Sequence, residues 1–402
     1  MLNSRSSLPR SRQVDFQKKC NEESGFLLFT KAELEGVAQE VLDGYPEVDG
    51  KLKVTYSTPD IIPVQRTAVL PESRKRSTLG YEGKTAENAP TLAKVARLRR
   101  QAAQLLGYSN HAEYILETKM AKTPKTVLDF LSDLQAKLRP LAESEKATLL
   151  ALKKEECEAR GWEFDGELYL WDRTYYERLH LEKTLALDDD EVKKYFPVAK
   201  VVPTILNMYQ ELLGVSFVTV PKTEAAGGSA WHDEAEAYAV WDQDEFIGYM
   251  YLDLFPRENK YGHAAVWGLM PGFVQASGER TFPVVNMVAN LSKPVAGKPA
   301  SLPHTQVVTF FHEMGHALHG LCSKTQFARF HGTAVARDFV EAPSQMLENW
   351  CWTPAELRRM TSHVETGEPL PDHLIDAIVA SKKVGQGTRG LAGGSIQLTP
   401  TC

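Results

Sequence analysis

The sequence predicts a mainly helical protein with one small antiparallel β-sheet, an α+β fold. Three observations lead there. Runs with apolar residues at helical spacing dominate both ends of the 402-residue chain, several of them opened by a capping residue or closed by glycine. Between Val215 and Leu291 the character changes to short segments rich in Val, Tyr, Phe and Trp, bounded by turn residues. Apolar residues make up 43% and charged residues 24% of the chain, as in an ordinary globular protein; this length holds two or three domains or one large one.

Residues 1 to 13 carry Arg5, Arg10 and Arg12 and no acid. They read as a short disordered basic tail, a transit peptide being the competing reading. Thr30-Lys31-Ala32-Glu33 is a capping box, predicting a helix toward Leu42 that stops near Gly44. Asp49-Gly50 turns the chain into Lys51 to Tyr56, which alternates as a half-buried strand. From Thr91 to Leu106 helical spacing returns, with Lys94, Arg97, Arg99 and Arg100. No aromatic residues interleave them, so a solvated helix face is expected rather than a nucleic-acid site. Thr123-Pro124 opens a long helical region to about Ala159, which Pro140 should kink or divide. A further helix runs from Val202 to Leu213 and is closed by Gly214.

Four strands are expected next, at Val215–Val220, Ala235–Trp241, Phe246–Phe255 and Phe282–Leu291. The last is read as an edge strand able to pair with an extended peptide by strand addition. Gly262 to Gly278 is glycine-rich and reads as loop.

The richest chemistry lies in Phe310-Phe311-His312-Glu313-Met314-Gly315-His316-Ala317-Leu318-His319, within a proline-free helical stretch from Thr305 to Cys322. Residues four apart share a helix face, so His312 and His316 can aim two imidazoles at one metal ion. Glu313 sits beside that face and can take a proton from a metal-bound water. His319 lies two turns from His312, ~10 Å along the axis, and cannot join the same ion. It is expected to support the site or face the surface. A third ligand is sought in Arg337 to Trp350, which reads as a second helix. Glu341 and Glu348 are seven residues apart on one face, and spacing alone leaves both open.

The segments FHEMGHALHGLC and GTAVARDFVEAPSQMLENW together resemble the zinc site of the thimet oligopeptidase family, which includes neurolysin and the saccharolysins. The resemblance extends through Leu28–Glu47, Ala121–Gly161, Tyr261–Pro271 and Met287–Pro294, over most of residues 14 to 390. It implies His312, His316 and Glu341 as zinc ligands, Glu313 as general base, and Glu348 or Asp338 as residues that orient a ligand. It implies a zinc endopeptidase acting on short peptides in a channel between two largely helical halves. Residues 14–214 are expected to be mostly helical, 215–295 to form the sheet, and 296–387 to hold the zinc-site helices.

Family members are longer at both ends, so Met1 looks like a start within a truncated version. After Gly387 the sequence departs from the family, and residues 388–402 read as a disordered tail. The family's Gly/Tyr-rich loop, whose tyrosines and histidine contact substrate and the developing oxyanion, has no match here. The alternative function is therefore a truncated, catalytically weak or inactive zinc-binding remnant that binds peptides or a partner.

A net charge of -6 argues against nucleic acid as the main partner. No apolar run approaches the ~20 residues of a membrane helix. Five cysteines without a C-x-x-C pair point to reduced thiols in the cytoplasm, a mitochondrial compartment being the other option. A monomer is expected.

Overall fold

A computed structural model describes residues 15–20, 22–221, 230–258, 260–291, 293 and 299–397. They fall into two compact units, residues 1–185 with 383–402, and residues 186–382. The expected tail at 1–13 lies outside the described residues.

In the first unit, β1 (Phe26–Phe29), β2 (Glu47–Val48) and β3 (Lys51–Thr55) form an antiparallel sheet in the order β1-β3-β2. The capping box forms: the Thr30 N–H donates to Glu33 at 2.7 Å and the Glu33 N–H to Thr30 at 3.2 Å. Yet the helix it opens lasts one 3-10 turn, Ala32–Leu34, and α1 (Gln39–Leu42) is separate. Gly36 makes the break. Its φ is +91°, and a Cβ there would lie 2.4 Å from the Thr67 carbonyl oxygen, so the chain must turn to let two backbones meet.

The core of this unit joins Phe29, Leu34, Leu52 and Val54 to Ile61 and Val64 of α2 (Thr58–Thr67). There follow α3 (Pro71–Gly83), α4 (Ala89–Leu105), α5 (His111–Leu116), α6 (Pro124–Arg160) and α7 (Leu170–Leu185). Thr123 accepts the Thr126 N–H at the start of α6, and Gly161 ends it in the left-handed region. Pro140 does not divide this helix. Pro140 and Ala136, whose carbonyl loses its partner, are both exposed, so water can satisfy the freed group. A buried ion cluster ties α3, α6 and α7 together: Asp172 pairs with Arg74 at 3.0 Å and with Lys153 at 3.1 Å.

The second unit begins with α8 (Asp189–Val192) and α9 (Val198–Leu213), the latter closed by Gly214 at φ +71°. Thus α8 and α9 belong to the unit of the five-stranded sheet and not to that of α1 to α7. Strands β4 (Val215–Thr219), β5 (Glu236–Asp242), β6 (Glu245–Asp253), β7 (Ala265–Met270) and β8 (Val284–Val288) follow, in the order β4-β5-β6-β8-β7. Two expectations change here. Pro283–Leu291 does not supply an edge strand, because β8 is inserted between β6, to which it is parallel, and β7. At this end of the sheet the edge is β7, read as loop from its glycines; its pairing with β8 shifts register between Gly268 and Met270.

Helix α10 (His304–Leu321) lies on the β6, β8 and β7 end of the sheet. A Cβ at Gly320 would lie 2.9 Å from a Val285 methyl, so glycine admits the strand. From α9, Tyr209 donates its hydroxyl to the Phe311 carbonyl at 2.7 Å, fully buried. The region expected as one helix from Arg337 is helical only from Glu341, as α11 (Glu341–Leu347), and tightens into a 3-10 turn over Glu348–Trp352. Pro343 fits in the first turn of α11, where its missing N–H has no intrahelical partner to lose. Then come α12 (Pro354–Met360) and α13 (Asp372–Ser381).

The chain rejoins the first unit as α14 (Gln386–Gln397), packed on α6. This corrects the expected disorder for residues 388–397; 398–402 lie outside the described residues. Poor helix formers persist because glycine lets the backbones touch: a Cβ at Gly387 would lie 2.5 Å from the Ala142 nitrogen. Glu145 accepts the N–H groups of Gly387 and Thr388 at 3.2 and 2.8 Å, capping the helix from outside.

Candidate metal centre

Helix α10 buries Val307, Phe310, Phe311, Met314, Ala317, Leu318 and Leu321. That apolar stripe fixes its rotation and leaves His312 and His316, one turn apart, at partly exposed positions. Their Nε2 atoms are 3.1 Å apart. Glu341, at the first position of α11, places Oε2 3.1 Å from His316 Nε2 and 3.2 Å from His312 Nε2. Three donor atoms thus form a nearly equilateral triangle. Tetrahedral ligands at ~2.0–2.1 Å from zinc stand ~3.3–3.4 Å from one another, so the triangle fits a small tetrahedral ion with only slight expansion. Among the described residues these three form the group able to hold a metal.

The other carboxylates differ in place. Glu348 Oε1 lies 2.7 Å from His312 Nδ1. A carboxylate only accepts, so Nδ1 carries the proton and the Nε2 lone pair is left for the cluster. Glu348 is therefore behind the imidazole, and Glu341 in front of it. Asp338 is exposed in the turn preceding α11. Ser344 places its hydroxyl 3.1 Å from Glu341 Oε2 and 3.0 Å from the Glu341 carbonyl oxygen.

Glu313 is 8% exposed. Burial pushes its carboxyl above the usual carboxylate range; the neighbouring His312 opposes this and the charge of Glu341 adds to it. Burial likewise lowers His316, against the pull of Glu341. His319 is outside the triangle. Its Nδ1 is buried with no hydrogen-bond partner among the described residues, and its ring packs near Phe339.

Residues 71–392 match Peptidase family M3. The chain belongs to this family. It is 37% identical to Saccharolysin of Saccharomyces cerevisiae over 384 residues, which covers 92% of this chain and 54% of that protein. Thimet-like oligopeptidase of Dictyostelium discoideum is 35% identical over 383 residues, 92% of this chain and 56% of the relative. Oligopeptidase A of Salmonella typhimurium is 35% identical over 373 residues, 89% and 53% respectively. The chain spans about half the length of these curated relatives. The region matched to family M3 contains both helices of the triangle. No described helix is long and apolar enough to cross a membrane.

Two participants were not singled out from the sequence. Ser344 carries no signal beyond its place three residues after Glu341. Gly315 does carry one: a glycine between two ligand candidates, inside a helix, asks for a close neighbour.

Proposed function

We propose that this chain carries the catalytic zinc site of an oligopeptidase, a metalloendopeptidase that hydrolyses short peptides. The observation that supports this most directly is the donor triangle with a buried carboxyl next in sequence to one of its corners. His312, His316 and Glu341 are the proposed ligands; three protein ligands with one open position are the catalytic pattern for zinc. A bound zinc ion would lower the pKa of a water and polarise the scissile carbonyl. Glu313, beside the open position, would serve as the general base, accepting a proton there and releasing it to the departing amine. A pKa raised by burial suits a group that must both accept and release a proton near neutral pH. Glu348 holds His312 in the tautomer that presents Nε2.

For the substrate we propose strand addition at β7. Its residues Trp267–Met270 are exposed, and it is an end strand of the sheet against which α10 packs. An extended peptide paired there gains backbone hydrogen bonds whatever its side chains.

The test is cleavage of a short quenched fluorescent peptide by the purified chain, its chelated form and Glu313→Gln. Turnover should stop with chelator and return with zinc. Glu313→Gln should keep zinc and lose ~100- to 10,000-fold in rate. Turnover that survives both treatments would refute the mechanism. A chain that binds one zinc and cleaves nothing would favour a peptide-binding role.

A further inference from the structure

We infer that the contact between Gly315 and Ser344 sets the metal affinity of the triangle, with Ser344 as the positioning residue for Glu341. This rests on the zinc-site reading above. Two of the three donors stand on α10 and the third on α11, so the separation of these helices determines whether the triangle closes. The helices approach at Gly315. A Cβ there would lie 2.9 Å from the Ser344 Cα, and 3.4 Å from both Ser344 Cβ and a Leu347 methyl. Atoms of a real side chain do not sit that close to backbone, so any other residue must push α11 outward. Gly315 lies between His312 and His316, which puts this contact at the level of the donors.

Ser344 turns that approach into a position for one oxygen. It is fully buried, with its hydroxyl held between two acceptors that both belong to Glu341. One acceptor is Oε2, the oxygen that faces both imidazoles. The Glu341 side chain is otherwise 51% exposed and, as a long flexible chain, would lose much rotamer freedom in reaching the triangle. The buried hydroxyl restrains it before any ion arrives. Gly315 fixes where Ser344 stands, and Ser344 fixes where Oε2 points.

The experiment is a zinc titration of the full chain against a competing chromophoric chelator, for wild type, Ser344→Ala, Glu341→Ala and the double variant, with thermal unfolding of each metal-free form. Loss of a hydrogen bond behind a ligand typically weakens metal binding ~10- to 100-fold, and Ser344→Ala should fall in that range with little change in metal-free melting. In the Glu341→Ala background the serine change should have no further effect on zinc. Equal weakening in both backgrounds would overturn the inference, since the serine would then act through the helix and not through Glu341. So would wild-type affinity in Ser344→Ala alongside loss in Glu341→Ala, which leaves the ligand assignment intact. Zinc retained by Glu341→Ala would instead overturn the ligand assignment itself. Gly315→Ala, if folded, should weaken zinc at least as much as Ser344→Ala.

Discussion

Glu348→Ala separates a residue that orients a ligand from one that is a ligand. In the structure Glu348 Oε1 lies 2.7 Å from His312 Nδ1, with the two side chains 30% and 21% exposed. Hydrogen bonds to charged groups contribute ~1.5–3 kcal/mol when well shielded. Partial exposure places this one in the lower half of that range, ~1.5–2 kcal/mol. At ~1.4 kcal/mol per factor of ten, the expected loss in zinc affinity is ~10- to 30-fold. Glu348→Gln keeps an uncharged acceptor and should lose only a few-fold. Glu341→Ala removes a donor outright and should lose at least ~10-fold more than Glu348→Ala. Competition with a chromophoric chelator reads all three. Wild-type affinity in folded Glu348→Ala would refute the role given to this hydrogen bond. Losses as large as in Glu341→Ala would make Glu348 a ligand and require the triangle to rearrange.

Other consequences concern stability. Asp253 accepts from Arg257 at 2.7 and 2.8 Å and from the Trp231 indole at 2.9 Å, and pairs with Lys260 at 2.9 Å. Burial raises its pKa, but these donors outweigh burial and hold it far below the usual carboxylate range. A depressed folded pKa gives stability that is present above the unfolded value of ~3.9 and lost as pH falls below it. Asp253→Asn should therefore melt lower at neutral pH and show a shallower decline in acid; an unchanged acid slope would refute this. Asp172→Ala leaves Arg74 as a buried cation without its carboxylate, while Lys153 keeps Asp165 at 3.1 Å, and should cost about 3–5 kcal/mol by urea unfolding; a loss under ~1 kcal/mol would mean that water reaches the cluster. Gly387→Ala pits propensity against packing. Alanine favours helix by ~1 kcal/mol, whereas its methyl would meet the Ala142 backbone at 2.5 Å, an overpacking cost of ~1–3 kcal/mol. The variant should be less stable, and a gain in melting temperature would show that α14 is not seated as described.

Signals that act within a few residues were legible in the chain. Thr123-Pro124 opens α6 because a cap and a fixed φ act locally. Gly214 ends α9 because a left-handed glycine acts locally too. His312 and His316 were legible because a helix repeat alone puts them on one face. Signals that depend on a distant partner were not. The capping box at Thr30 and Glu33 forms as expected, yet Gly36 must meet the Thr67 carbonyl and stops the helix. The glycine-rich sequence after Gly385 suggests disorder until α6 lies against Gly387 and Gly390. Strand order is of the same kind: β7 and β8 exchange edge and interior through hydrogen bonds that no local pattern encodes.

The candidate site divides along the same line. The sequence by itself determined the two imidazoles, the carboxyl between them and two possible third donors, because these follow from helical spacing and side-chain chemistry. Spacing left Glu341 and Glu348 open and the resemblance implied Glu341; the tertiary structure alone shows Glu341 facing the Nε2 atoms while Glu348 stands behind Nδ1. That choice depends on how closely α11 packs on α10, and Gly315 and Ser344 set that distance through a contact between residues 29 positions apart.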